Sequence, residues 1–196
     1  KRPPSKQEVI GAWGELLVLY SLIQASSNHT QIIRIINGWE SEGGQRDIID
    51  FRLPFFEGGT VNEVKTSSVS REHYIHGLNQ LIIPEGFEKG WLTSILIRET
   101  DGSTGLTCLG LLEKIFNLFS GSEDEIIQQI TTFEFKIENR GAACRDSRYY
   151  FMLTNDSLRK IKMDEVPIPT GSSEIKEIEW LVDVSNIEFD SIEINL

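Results

Sequence analysis

Glu63, Val64 and Lys65 form an acid-x-lysine triplet, preceded by Asp50 and, far upstream, by Glu15. Carboxylates and a lysine in that order suit metal-assisted cleavage of a phosphodiester. Two carboxylates can hold Mg²⁺, or Mn²⁺ in its place, because such ions take few protein ligands and keep several waters. The ion stabilises charge on a phosphate and eases deprotonation of a bound water. A lysine ammonium can orient that water or stabilise the developing charge. The plainer reading of Glu63-x-Lys65 by itself is an exposed ion pair on a solvated strand.

The elements that must position these groups read as a β-hairpin. Residues 47–56 form one strand, Glu57-Gly58-Gly59-Thr60 the turn, and residues 61–67 the second strand. Side chains two apart on a strand share a face, so Glu63 and Lys65 project with Val61 while Val64 points the other way. A four-residue turn pairs Phe56 with Val61, and sets Glu63 across from Pro54 and Lys65 across from Arg52. Asp50 then has the facial parity of Glu63 and Lys65, and Asp47 the opposite one. A single bulge would reverse that, and Pro54 invites irregularity. Asp50 is therefore the favoured metal ligand and Asp47 its alternative.

Glu15 lies in Gly14-Glu15-Leu16-Leu17 on the first helix. A carboxylate among apolar neighbours needs a partner, and Lys65 or a metal-held water would serve. Otherwise it is a surface glutamate beside the core stripe. Arg71, His73, His76 and Gln80 follow the hairpin. A histidine can act as acid or base, and a glutamine can fix a water or a phosphate oxygen. Singly, each is more often structural or solvent-facing. The sequence contains no Gly-rich phosphate loop, zinc-ligand pattern or serine nucleophile elbow.

The remaining chain supplies a scaffold. Residues 5–24 read as a helix, with Ser5 as N-cap, Glu8 completing a capping box, and Ile10, Trp13, Leu17 and Tyr20 at helical spacing. The isoleucine-rich residues 31–37 read as a short strand, and 40–45 as a loop. Residues 74–81 read as a strand end passing into a helical turn. Residues 91–99 and 106–109 read as strands, and 111–119 as a helix. Residues 122–131 read as a helix capped by Ser122, with acids in its first turn. Strands are expected at 148–154, 158–163 and 175–184, with an extended stretch at 166–169. This mixture predicts an α/β (α+β mixed) fold, a central mixed sheet flanked by helices, with additional C-terminal strands. We read 1–196 as a single domain, its core over 5–120 and a C-terminal extension over 121–196.

The formal net charge of −11 sets a constraint. Binding to a phosphate backbone is driven by Lys and Arg releasing counterions. An acidic chain must therefore gather its cations locally, with Arg46, Arg52, Lys65, Arg71 and His73 the expected members, or borrow them from a partner. The acidic stretch 174–193 reads as a solvated face. Cys108 and Cys144 make neither a disulfide framework nor a zinc site, which suits a reduced, cytoplasmic protein. No apolar run is long enough to span a membrane, and the basic start is not followed by the apolar region of a signal peptide. The chain does not open on Met, so it reads as processed or as part of a longer protein.

Gly14-Glu15-Leu16-Leu17, Trp39, Asp50-Phe51, Glu63-Val64-Lys65-Thr66-Ser67, Arg71-x-His73 and Gly77-Leu78-Asn79-Gln80-Leu81 together resemble the bacterial PD-(D/E)XK motif protein family of the restriction-endonuclease-like superfamily. The resemblance extends over most of the chain, including Arg148-Tyr149-Tyr150-Phe151 and the last strand. It implies a four-stranded mixed sheet flanked by helices, a Mg²⁺ site and DNA cleavage by in-line attack of water, leaving a 5′-phosphate. Residue by residue, it implies Asp50 and Glu63 as metal ligands with the Val64 carbonyl as a third. It makes Lys65 the catalytic lysine, Glu15 an accessory acid and Gln80 a support for the site. It further implies a restriction or phage-defence cluster with a MORC-type ATPase, a helicase and a DNA methylase as neighbours; a homodimer is left open. The stretch between Asp50 and Glu63 is longer than the family's usual spacing, which keeps Asp47 in contention. A non-catalytic DNA-binding or scaffold subunit that retains the fold is the runner-up. An unrelated ligand-binding domain would need a deep apolar pocket away from the hairpin.

Overall fold

Ser5 starts the first helix as its sequence requires. Its hydroxyl accepts from Glu8 N at 3.3 Å, and the Glu8 carboxylate accepts from Ser5 N at 2.7 Å, opening α1 (Lys6–Gln24). The computed structural model describes residues 2–40, 49–56, 58–167, 180–188, 190, 191 and 194. Helix α1 is a core helix, burying Val9, Ile10, Trp13, Leu16, Leu17, Val18, Leu19 and Ile23. Gly14 lets it lie directly on a strand: a Cβ at that position would collide with the Thr66 hydroxyl.

The strands are β1 (Phe51–Leu53), β2 (Thr60–Ser67), β3 (Glu72–Ile75), β4 (Lys89–Thr100), β5 (Tyr150–Lys162), β6 (Trp180–Asp183) and β7 (Asp190–Ser191). Five of them form one sheet in the order β1-β2-β4-β5-β7. The β2–β4 pair is parallel and the other pairs are antiparallel, so the sheet is mixed, as expected. It has one strand more than the four the resemblance implied. β3 and β6 pair separately as a two-stranded sheet. One core fills the side under the helices and includes Trp13, Leu17, Phe51, Val64, Ile95 and Phe151. A second, smaller one includes Val61, Ile75, Leu92, Ile161 and Val182. Val61 and Val64 thus lie on opposite faces of β2, as strand alternation demands.

Several elements differ from the sequence reading. Residues 31–37 are not a strand but part of α2 (His29–Gly38). Asn28 caps it, accepting from Gln31 N at 3.0 Å, and Ile32, Ile35 and Ile36 form a buried helical stripe. Burial of that stripe outweighs the β preference of isoleucine. Residues 106–109 make only a bridge, Leu106 to Phe151, before Thr107 caps α3 (Cys108–Phe116). The helix expected to end at 131 runs on as α4 (Glu123–Arg140) and stops at Gly141, whose φ is +93°. The strands at 148–154 and 158–163 are one strand, β5, irregular opposite Ile95–Ile97, with Asp156 at φ +60°. β5 pairs with β4 along most of its length, so residues past 121 build the central sheet itself. Most of the expected stretch 166–169 and strand segment 175–179 lies outside the described residues. Among those described, no helix is long and apolar enough to cross a membrane.

Candidate active site

The hairpin closes at Leu53–Thr60, so its loop is longer than the four-residue turn expected, and its register brings the two acids together. Arg52 pairs with Val61 and Phe51 with Asn62, so the next step outward sets Asp50 against Glu63. The turn begins at Pro54, which displaces the register from the Phe56–Val61 pairing by an even number of residues. An even shift preserves facial parity, and Asp50 keeps the side shared by Glu63 and Lys65. The backbone closes the arrangement: Asp50 N donates to Glu63 Oε2 at 3.3 Å, and Val64 N donates to Asp50 Oδ2 at 2.8 Å.

Lys65 Nζ lies 2.7 Å from Glu63 Oε1 and donates to Gln80 Oε1 at 3.1 Å. The same Gln80 oxygen accepts from His76 N at 3.0 Å, which fixes the amide at the end of β3. Glu63 is 1% exposed and Gln80 4%, so this is a buried assembly and not a solvated ion pair.

Glu15 is held from a different direction than expected. Its partners are Trp39, whose Nε1 donates to Glu15 Oε2 at 3.0 Å, and Arg140, which forms an ion pair with it. Lys65 is not among them; it is committed to Glu63 and Gln80. Arg140 also lies 3.3 Å from Asp50 Oδ1, with its guanidinium 5.3 Å from the centre of the Trp39 ring. Arg140 was not singled out from the sequence, because the helix that carries it was read as ending at 131. The spacing of Gln129, Phe133 and Ile137, all buried and four apart, followed by Gly141, was the signal for the longer helix.

The electrostatics favour a cation. Burial raises Asp50 well above the usual carboxylate range, and the charge of Glu63 adds to the shift. Burial also raises Glu63, against the pull of Lys65. Burial lowers Arg140 to about 10. The groups open onto a cleft of about 700 Å³, where Glu15, Asp50 and Glu63 meet Lys65 and Arg140, leaving one negative charge in surplus. Glu40 and Glu72 at its wall add to that excess. Among the described residues, no group of three or more His, Cys, Asp or Glu side chains is set to hold a metal. Asp50 and Glu63, adjacent and largely out of solvent, are instead the sparse carboxylate pair that Mg²⁺ completes with water. The residues present fit such an ion.

The expected nucleic-acid contacts fare differently. Arg71 and His73 are buried, at 6% and 4% exposure, and so offer little surface to DNA, although His73 lines the cleft. Arg71 donates to Ser94 O at 3.2 Å, to Ser94 Oγ at 3.0 Å and to Asp156 O, tying β4 to β5. His73 Nε2 lies 2.7 Å from Ser94 Oγ, and burial brings its pKa down to about 4. Arg52 is exposed on the edge strand β1. Arg46 and Asp47 lie outside the described residues. A second cavity of about 500 Å³, between α1 and β1, β2, β4 and β5, is lined by Val18, Leu22, Leu53, Phe56, Trp91 and Leu158 among others.

A family model described as "Putative PD-(D/E)XK family member, (DUF4420)" matches residues 1–185. No curated protein and no solved structure matches the chain.

Proposed function

The chain belongs to this PD-(D/E)XK family, whose model spans nearly all of it, and from that premise we propose that it is a Mg²⁺-dependent DNA endonuclease. The observation that carries the reading is the buried Asp50–Glu63 pair with Lys65 fixed beside it by Gln80. Asp50 and Glu63, with the Val64 carbonyl, would hold the ion, and Mn²⁺ would serve the same donors. The ion supplies Lewis-acid stabilisation of phosphate charge and a more acidic water. Lys65 presents an ammonium where charge develops, and the two acceptors that grip it keep it from swinging away. Glu15 acts at one remove, through Arg140. Gln80 is a positioning residue. DNA is the substrate this site would take; the specific nucleic-acid contacts assigned to it are Arg52 on the hairpin edge and Arg46.

One observation favours the second reading, a non-catalytic DNA-binding or scaffold subunit. The cleft carries more acid than base, and Arg71 and His73 expose little of themselves to a backbone phosphate. Under the first reading the same fact means that DNA is delivered by a partner. A MORC-type ATPase, a helicase and a DNA methylase of a bacterial restriction or phage-defence system are the partners we propose, with the cytoplasm as the compartment and a homodimer as one assembly.

Plasmid nicking with Mg²⁺, with and without such partners, tests the proposal. Wild-type chain should nick, and Glu63→Gln should lower the rate roughly a hundredfold or more. Equal rates for the two proteins, or no nicking with any partner, would transfer support to the scaffold reading.

A further inference from the structure

Arg140 is the largest feature of the site that the acid–lysine motif does not account for. It reaches the cleft from the last turn of α4, far in sequence from the hairpin. Its Nη2 serves both Glu15 and Asp50. Its Nε is buried without a partner, and Nη1 makes no hydrogen bond among the described residues. Nε lies too deep to meet a ligand, but Nη1 is a donor to spare, and one planar guanidinium can keep Glu15 on one nitrogen while it offers another to a phosphate.

The four oxygens of Asp50 and Glu63 are all satisfied by the chain itself. Val64 N and Arg140 serve Asp50; Asp50 N and Lys65 serve Glu63. Three of these donors belong to the hairpin and are fixed by it. Arg140 alone comes from outside, and its contact with Asp50 is a long one at 3.3 Å. Glu15, itself held by Trp39 Nε1, gives the guanidinium a second anchor in the cleft when Asp50 no longer attracts it.

We propose that Arg140 does two things in turn: in the resting site it stands in for the cation on Asp50, and once Asp50 is neutralised it holds a phosphate oxygen of the DNA strand. This rests on the metal-site reading above. It gives Glu15 a defined task, keeping the guanidinium in the cleft as its partner changes. It also gives the acidic chain a phosphate contact in place of Arg71 and His73.

The test uses the 196-residue chain as wild type, R140Q, R140K and E63Q, each checked for folding by circular dichroism. Calorimetry with MnCl₂ and no nucleic acid should show R140Q binding Mn²⁺ about tenfold tighter, because a competing positive charge has gone. R140K should stay within about twofold of wild type, since it keeps the charge. Binding of a short DNA duplex in CaCl₂ should weaken about tenfold in R140Q and in R140K alike, because neither presents the fork. Unchanged or weaker Mn²⁺ binding by R140Q would overturn the proposal, as would wild-type duplex binding by R140K. A purely structural Arg140 would lower thermal stability and leave Mn²⁺ affinity alone. Should R140Q not fold, the duplex affinity of R140K decides. E63Q separates the two levels. If it binds Mn²⁺ like wild type, the metal site itself is wrong. If it loses Mn²⁺ while the Arg140 variants behave as wild type, only the role of Arg140 fails.

Discussion

Two clusters of charged and polar groups sit side by side at β2 and β4, and they are built on opposite principles. One joins Asp50, Glu63, Lys65, Glu15 and Arg140; the other joins Arg71, His73, Ser94 and the Asp156 carbonyl. They are neighbours, since Lys65 and Ser94 are register partners across the parallel ladder. In the second, the arginine meets a hydroxyl and two carbonyls and the histidine is kept neutral. The guanidinium is spent on the protein's own oxygens. In the first, like charges are pressed together, the carboxylates are pushed away from their ordinary pKa, and a negative charge remains in surplus. Burial that satisfies its polar groups makes structure; burial that leaves a charge imbalance invites a ligand.

The sharpest way to break this comparison is to remove one ammonium. Lys65→Ala should lower Mg²⁺-dependent nicking by roughly a hundred- to a thousandfold while the fold stays intact. Lys65 is half-buried, so its truncation removes little packing, and burial already raises Glu63 and Asp50 in the direction of the neutral form. The variant should therefore unfold at nearly the wild-type denaturant midpoint. Wild-type nicking by this variant would show that the two clusters do not differ in function.

The reverse experiment is Arg71→Met. Three acceptors then lose their donor inside the protein, and the tie between β4 and β5 goes with them. The expected cost is about 2–4 kcal/mol, read as a lowered urea midpoint. Mn²⁺ affinity should be unchanged provided the protein is folded. A neutral substitution would mean that the guanidinium is not needed for packing and is available for another purpose.

The sequence announced the first cluster better than the second, for physical reasons. Strand alternation and the even register shift were enough to set Asp50 with Glu63 and Lys65, even though the turn was misplaced. The capping boxes at Ser5 and Ser122 fixed two helix starts, because caps are local chemistry. Helix α2 was misread because isoleucine carries a β preference that only tertiary burial overrides. Arg140 was missed because contacts between residues so distant in sequence leave no local pattern. Arg71 and His73 were assigned to DNA because a cation near a site looks available until its burial is known. Gly14 was quoted in a motif, but its reason, the close passage of α1 over Thr66, is visible only in three dimensions.

The smallest expected effect concerns pH, and it separates the clusters by sign. His73 is held at about 4 in the fold, first by burial and then by Lys65 and Arg71, against the weaker pull of Asp183. In the unfolded chain a histidine titrates near 6.5. Below about pH 6.5 the unfolded state takes up a proton that the folded state refuses, so stability falls as the pH drops towards 4, by about 3 kcal/mol at most. Asp50 and Glu63 act the other way. Their folded pKa values lie above the unfolded ones, so their contribution is full at low pH and lost as pH rises through the folded values. The wild-type profile between pH 6.5 and 4 is therefore a partial cancellation. His73→Gln can keep a hydrogen bond to Ser94 and cannot be protonated. It should remove the histidine arm, so that the variant loses less stability than wild type on acidification over that window. Urea titrations at several pH values would read the difference directly. Parallel profiles for wild type and variant would mean that His73 is already protonated in the fold, and that the second cluster also carries a charge it does not satisfy.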